Sequence, residues 1–302
     1  MRAGLEEAVR AQPAAPGDDV ALCMAAHRPW NARLTLGFER DGHGRTVLIR
    51  REHIGPLRVQ KALYPEGPGI CHAVVVHPPG GIAGGDDLAI DLTLGSGSHA
   101  LITTPGATKW YRSAGASAYQ RIKATVRADA VLEWLPQETI VFEGARAVNR
   151  VEIDLEANAL FLGWDIICFG RTAAGESFRH GSFRQRWQIA RGRVPLWIEA
   201  GDLAGDSPLL SSAVGLGDQS VCATFLAAGR PIPPPLLEAL RTSLADLPFG
   251  DRVAVTRMSD LIVARYVGPS TEEARTAGVA LWSVLRPQLA GAQARMPRLW
   301  AT

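Results

Sequence analysis

The stretch from His72 to Arg112 constrains the fold more than any other part of the chain. A β-branched run, Val74 to Val76, halts at Pro78-Pro79; the glycine pairs Gly80-Gly81 and Gly84-Gly85 follow, and then the acidic pair Asp86-Asp87. Alternation resumes at Leu88, Ile90, Leu92 and Leu94, and a second strand, Ala100 to Thr103, runs into Thr104-Pro105-Gly106. Proline lacks the backbone donor and glycine is costly inside a helix, so no continuous helix fits this stretch. A period of two sets alternate residues on opposite faces of a strand. The stretch therefore reads as strands joined by glycine-rich corners. It ends in a basic–aromatic tip, Lys109, Trp110, Tyr111 and Arg112, displayed together.

The flanking sequence repeats this logic. Leu34, Leu36 and Phe38 alternate with Arg33, Thr35 and Glu39, and Asp41-Gly42 with Gly44 signals a hairpin turn before Val47 to Ile49. Downstream, Ile122, Ala124 and Val126, then Val131 to Leu135, Thr139 to Phe142, Val151 to Leu155, Leu160 to Phe169, Phe183 to Ile189 and Val194 to Ile198 read as further strands. Turn residues separate them, which predicts an all-β domain. Two late segments depart from the pattern. Pro233 to Leu244 carries Leu236, Leu237, Leu240 and Leu244 at helical spacing, with prolines where a first turn tolerates them. Ser270 to Leu289 opens with a Ser270–Glu273 capping box and lines one face with Ala277, Leu281, Val284, Leu285 and Leu289. A strand pair, Val253 to Thr256 and Leu261 to Tyr266, lies between them.

No linker interrupts the strand pattern, so residues 20–291 read as one domain. Residues 1–19 read as a disordered or weakly helical extension, and residues 292–302 as a loose tail in which Leu299 and Trp300 could dock. No fixed-period repeat is visible. The 302 residues, 47% of them hydrophobic, suffice for a large core. A net charge of +2 argues against a nucleic-acid binder, and the preference for arginine over Lys61, Lys109 and Lys123 follows genome composition as readily as function. Cys23, Cys71, Cys168 and Cys222 are widely spaced, which fits a reduced, cytoplasmic setting. The first residues lack a secretory h-region, and no apolar run approaches the ~18 residues of a membrane span.

Several chemistries can be weighed against the residues. The phosphate-cradling pattern Gly-x-x-x-x-Gly-Lys-Ser/Thr is missing, and the glycines after His77 lead into an alternating strand beside two carboxylates, which disfavours phosphate. Cys71, His72, His77, Asp86, Asp87 and His99 are donors suited to nickel, zinc or copper, yet Cys71 and His72 face opposite ways on a strand and the spacing matches no closed site. Gly95-Ser96-Gly97-Ser98-His99 only imitates a nucleophile elbow. Glu133, Glu138, Glu143, Asp165 and Glu176 could supply the paired carboxylates of a glycosidase, and an acidic set facing an interior would be unusual because burying unpartnered carboxylates is costly.

Four blocks make the sequence recognisable: His77-Pro-Pro-Gly-Gly-Ile-Ala-Gly-Gly-Asp-Asp-Leu88, Thr103-Thr-Pro-Gly-Ala-Thr-Lys-Trp-Tyr-Arg112, Leu132-Glu-Trp-Leu-Pro-Gln-Glu-Thr-Ile-Val-Phe142, and Gly170-Arg171 followed by Gly175-Glu-Ser-Phe178. In order and spacing, over about residues 30 to 290, the chain resembles the UreD family of urease accessory proteins, called UreH in some organisms. The resemblance implies a β-helix-like stack of short strands with two late α-helices. It implies a non-enzymatic scaffold that joins UreF and the GTPase UreG, docks on the urease apoprotein and enables nickel insertion, with UreE as nickel donor and CO2 needed for the lysine carbamate. No cofactor would be tightly bound; Ni2+ would be in transit through an internal tunnel. Carried onto this sequence, the resemblance makes Glu138, Asp165 and Glu176 inward acidic residues, and sets Asp86 and His77 near an entrance or interface. The late helices and Lys109, Trp110, Tyr111 and Arg112 become candidates for partner contact. Two departures stand out: the extension before Val20 has no counterpart, and Glu143 replaces the aspartate of many relatives. The alternative, from a different class, is a carbohydrate-active β-helix enzyme working through two carboxylates.

Overall fold

A computed structural model describes residues 29–301. The extension expected over residues 1–19, the β pattern between Val20 and residue 28, and Cys23 lie outside the described residues.

The chain winds back and forth between two sheets. β1 (Asn31–Arg40) and β2 (Thr46–Ile54) form a hairpin whose turn is set by the Asp41 carboxylate, which accepts the backbone N–H groups of His43 and Arg45, each at 2.9 Å. β3 (Arg58–Leu63) and β4 (Cys71–Val76) belong to the second sheet. Two like coils follow, β5 (Asp87–Leu94), β6 (His99–Thr103) and β7 (Thr108–Trp110), then β8 (Ala118–Val126), β9 (Val131–Trp134) and β10 (Thr139–Val141). The winding continues through β11 (Arg146–Leu155) and β12 (Leu160–Phe169) to a hairpin of β13 (Ser182–Arg191) and β14 (Val194–Ala204). β15 (Val221–Ala228), α1 (Pro234–Ala245), β16 (Val253–Met258), β17 (Leu261–Gly268) and α2 (Thr271–Ala290) complete the fold.

The first sheet has the order β14-β13-β11-β8-β5-β1-β2; the second runs β16-β17-β15-β12-β9-β6-β4-β3, with β7 and β10 as a short parallel corner beside β12. Inner neighbours are parallel, and antiparallel pairs close each sheet. This is the β-helix-like stack with two late helices that the resemblance implied. Cys71, Ala100, Leu132 and Phe161 stand in register on adjacent coils, as do Leu34, Ile90, Ile122, Val151 and Trp187. The steps along the sequence between these partners are unequal, because corner loops differ in length. That is why no fixed period was visible.

Two apolar layers hold the stack together. Inner faces of both sheets meet in one core, with Leu34, Ile90, Ile122 and Val151 from the first and Ala100, Leu132 and Phe161 from the second. The outer face of the second sheet packs under the helices, through Leu162, Trp164, Phe225 and Ile262 against Leu240, Ala277, Leu281 and Leu285. β12 is buried along its whole length, which explains its nearly continuous apolar sequence. Gly278 lets α2 sit close: a Cβ there would stand 2.6 Å from the Phe225 ring and 3.2 Å from that of Trp164. Ser270 caps α2 by accepting the Glu273 N–H at 3.3 Å. The tail docks through Trp300, one of the two residues expected to be able to do so: its Nε1 donates to Thr103 Oγ1 at 3.0 Å and its ring lies 5.5 Å from Trp164 and 5.9 Å from Trp282.

A buried ionic clasp fixes α2 in place. Arg286, with no exposed surface, donates to Glu133 at 3.0 Å and to both Glu66 oxygens at 2.7 and 2.8 Å. His72 meets Glu66 at 2.8 Å; His99 and the Trp282 indole N–H each meet Glu133 at 2.6 Å. Burial alone would raise the Glu66 carboxyl, but the hydrogen bonds from His72 and Arg286 outweigh it and hold it at about 2. Burial likewise acts against ionised Glu133, and His99, Arg286 and Trp282 pull it below the ordinary carboxylate value.

Arg286→Ala would leave both carboxylates buried without their cation, so it is expected to cost about 3–5 kcal/mol, read from urea unfolding. The stabilisation tied to Glu66 is full above its ordinary value of 4.5 and is lost as pH falls towards about 2. Glu66→Gln should flatten that part of the acid-unfolding curve.

Candidate functional site

The candidate site is the polar part of the interior between the sheets. Inward positions on β8, β11 and β13 are mostly apolar, but one cross-strand row carries Gln120, Asn149 and Gln185 in register. Gln120 donates to Asn149 Oδ1 at 3.4 Å. Opposite them, the alternation that turns Phe161, Ile167 and Phe169 of β12 into the core turns Asp165 inward as well. Gln185 Nε2 donates to Asp165 Oδ2 through a short contact, and Trp187 Nε1 donates to the same oxygen at 3.3 Å. The carboxylate thus ties one sheet to the other.

Asp165 and Trp187 line two cavities at once. The first, about 260 Å³, is walled by the Gly80-Gly81 corner, His77, Lys109, Gln120 and Asn149. The second, about 460 Å³, is walled by Gln185, Glu199, Cys222, Thr224 and Arg265 and by the segment holding Leu209 and Leu216. Burial pushes the Asp165 carboxyl up to about 6; the hydrogen bonds from Gln185 and Trp187 act against the rise, and the charge of Glu199 adds to it. Cys222 is pushed up to about 12 by burial and by the charges of Asp165 and Glu199, so its thiol is neutral at physiological pH. Glu199 pairs with Arg265 at 2.8 Å. Among the described residues no group of three or more His, Cys, Asp or Glu side chains is arranged to hold a metal ion. The interior offers amides and two carboxylates, Asp165 and the Arg265-paired Glu199, which suits brief contacts with a hard or borderline cation.

The expected site residues divide. Asp165 lies in the interior. His77 lines the first cavity; its Nε2 is buried with no hydrogen-bond partner, and burial lowers its pKa despite the nearby Asp86 charge. Lys109 lines the same cavity. Asp86 is buried within its own corner, accepting the N–H groups of Trp30 and Ala83 at 2.8 Å each, so it shapes the loop instead of standing at an opening. Glu138 is half-buried, accepts the Thr108 N–H through its backbone carbonyl, and lines neither cavity. Glu176 does not face inward: it pairs with the exposed Arg171 at 2.6 Å and accepts the Glu143 N–H at 3.0 Å. Glu143 in turn meets His180 at 2.5 Å.

The basic–aromatic tip is not displayed as one unit. Trp110 is 1% exposed and belongs to the core, because Thr108–Trp110 forms a strand that the sequence reading lacked. The Tyr111 ring stands edge-on to Phe142 at 5.2 Å and presses on Gly81, where a Cβ would lie 2.5 Å from it. Arg112 is exposed, and its Nε donates to the Glu143 carbonyl at 3.3 Å. The early metal set is likewise spent, since His72 is bonded to Glu66 and His99 to Glu133. Gln120, Asn149, Glu199 and Arg265 escaped the sequence reading. The available signal was an amide at an inward position in an otherwise apolar alternation.

The model of the family described as UreD urease accessory protein matches residues 31–301. The chain belongs to the UreD family. A urease accessory protein UreD from Azoarcus sp. (strain BH72) is 51% identical, over 94% of this chain and 98% of its own length. One from Dechloromonas aromatica (strain RCB) is 50% identical, over 93% and 98%. One from Janthinobacterium sp. (strain Marseille) is 46% identical, over 92% and 94%. This UreD-family chain therefore carries Asp165 inside a β-helix that its relatives match almost end to end.

Because the folded state holds the Asp165 proton up to about pH 6, stability should fall as pH rises from 3.8 towards 6 and stay level above that. Asp165→Asn should remove this slope and raise stability at pH 7 by at most about 3 kcal/mol, measured by denaturant titration at several pH values.

Proposed function

We propose that this chain is a non-catalytic urease maturation factor that passes Ni2+ along its interior to the urease apoprotein. The observation that carries the reading is the polar lining between the sheets, whose two cavities meet at Asp165. Its relatives carry the name urease accessory protein UreD, which supports the maturation role. In this reading the chain works in the cytoplasm with UreF and UreG. UreG supplies GTP hydrolysis and UreE delivers nickel, and neither is held as a cofactor.

The lining chemistry suits a conduit better than a store. Ni2+ prefers imidazole and carboxylate donors, and tight sites need several of them around one point. Here His77, Asn149 and Asp165 line one cavity, and among the described residues no three His, Cys, Asp or Glu side chains gather around one point. An ion moving past them exchanges water for one or two protein donors and then returns to water. Asp165 is the carboxylate common to both cavities, and its deprotonation near pH 6 makes it more attractive to a cation as pH rises. Glu138 and Glu176 would act from the corner and the surface, outside the two cavities. Three of the five carboxylates open to the glycosidase alternative are held by other partners: Glu133 by Arg286, Glu143 by His180 and Glu176 by Arg171.

The test is urease co-expressed with its accessory proteins, with nickel counted per active site. Omitting this chain should give nickel-poor, inactive urease; full loading without it would remove the maturation reading. Asn149→Trp should obstruct the first cavity and lower nickel content while complexes still assemble. Normal loading by both Asn149→Trp and Asp165→Asn would remove the passage from the account.

A further inference from the structure

The outer face of the first sheet carries a feature that the interior does not explain. Side chains pointing away from the core align across five parallel strands as Arg33, Ala89, Arg121, Arg150 and Arg186. All four arginines are exposed, whereas Ala89 between two of them is 2% exposed. Adjacent strands set such residues about 4.8 Å apart. Arg121, Arg150 and Arg186 therefore stand side by side with like charge, an arrangement that costs stability. Among the described residues none of the four makes an ion pair, and Arg186 reaches only Gln188, at 3.5 Å. Other exposed arginines, such as Arg58 and Arg295, also make no ion pair among the described residues, so what distinguishes this row is that Arg121, Arg150 and Arg186 are unpaired while in register on adjacent strands.

The neighbouring row on the same face has the opposite character. It reads Glu52, Thr35, Asp91, Lys123, Glu152 and Gln188 in register, and Asp154 lies one step beyond. Large apolar side chains border the basic row: Tyr119, 48% exposed, and Ile54, 64% exposed. Exposed aromatics and unpaired arginines together are the composition of energetic centres in protein interfaces.

We propose that this face is a docking surface for an acidic patch on a protein partner, the urease apoprotein. The partner's identity rests on the maturation reading; its chemistry rests on the two rows. Planar guanidinium groups bind carboxylates in bidentate fashion and lose hydration cheaply. A uniform polyanion, such as a nucleic acid or an anionic membrane, would gain at the arginines and be repelled by Asp91, Glu152 and Asp154 a few ångströms away. A protein can oppose the basic row with carboxylates and the acidic row with lysines. Such matching favours fast, salt-sensitive docking in one register.

The test compares the full-length chain with Arg121→Glu/Arg150→Glu, with Arg121→Gln/Arg150→Gln, and with a control, Arg58→Glu/Arg295→Glu, whose residues are exposed away from this row. Affinity for purified urease apoprotein is measured at low and moderate salt, and thermal melts report folding. Charge reversal should weaken binding by at least about tenfold and the glutamine pair by less, with the control unchanged; the wild type should lose affinity with salt more steeply than either variant. Unchanged affinity in both row variants overturns the proposal, as does an equal loss in the control. If the reversed variant melts out, the glutamine pair decides by the same criterion. Loss of self-association with apoprotein binding intact would assign the face to a second copy and also overturn it. Failure here leaves the nickel-loading result untouched, whereas full nickel loading without the chain removes the maturation reading whatever the affinities.

Discussion

Arg286 is sealed from solvent between two carboxylates that come from different turns of the winding. Glu66 sits in the break before β4, Glu133 on β9, and Arg286 near the end of α2. Charges buried this way are costly unless their hydrogen bonds are met; here the Gln293 carbonyl also accepts from Arg286, and His72, His99 and Trp282 bond the two carboxylates. The clasp sets where α2 lies on the second sheet. That sheet's outer face would otherwise expose Trp164, Phe225 and Ile262 to water. With this face covered, the first sheet's outer face is left as the broad strand surface with no described helix over it, and that surface carries the arginine row.

The interior follows from the same architecture. A parallel stack repeats the same inward positions from coil to coil, so one amide at one position becomes a row when its neighbours match. Gln120, Asn149 and Gln185 form such a row, and Asp165 closes it from the facing sheet. An apolar core at those positions would pack more tightly. The polar row keeps two cavities open at the cost of a carboxyl whose ionisation burial resists.

Much of the fold was legible because alternation and helical spacing are local. The strands, both late helices and the Ser270 cap emerged from a few residues each. The coil stacking was not legible from periodicity, since corner loops of unequal length erase the repeat; it came from the resemblance. Of the proposed acidic set, Asp165 was placed inside, whereas Glu176 went to a surface pair because Arg171 five residues earlier captures it. Trp110 was misjudged because a three-residue strand is too short to show its own alternation. Glu133 looked like a catalytic candidate, and the partner that neutralises it lies 153 residues away. No local reading could supply that contact.

The antiparallel hairpins at the ends of the first sheet make the stack finite. Within it, each added coil advances the axis by one strand spacing, about 4.8 Å. The number of coils is therefore a ruler for the length of the interior between the sheets. Gain or loss of a whole coil would change that length by one step and keep every side chain on its face. Gain or loss of one residue inside a strand would exchange inward and outward faces from that point to the next corner. The geometry therefore tolerates changes of length at the corners and penalises them inside the strands.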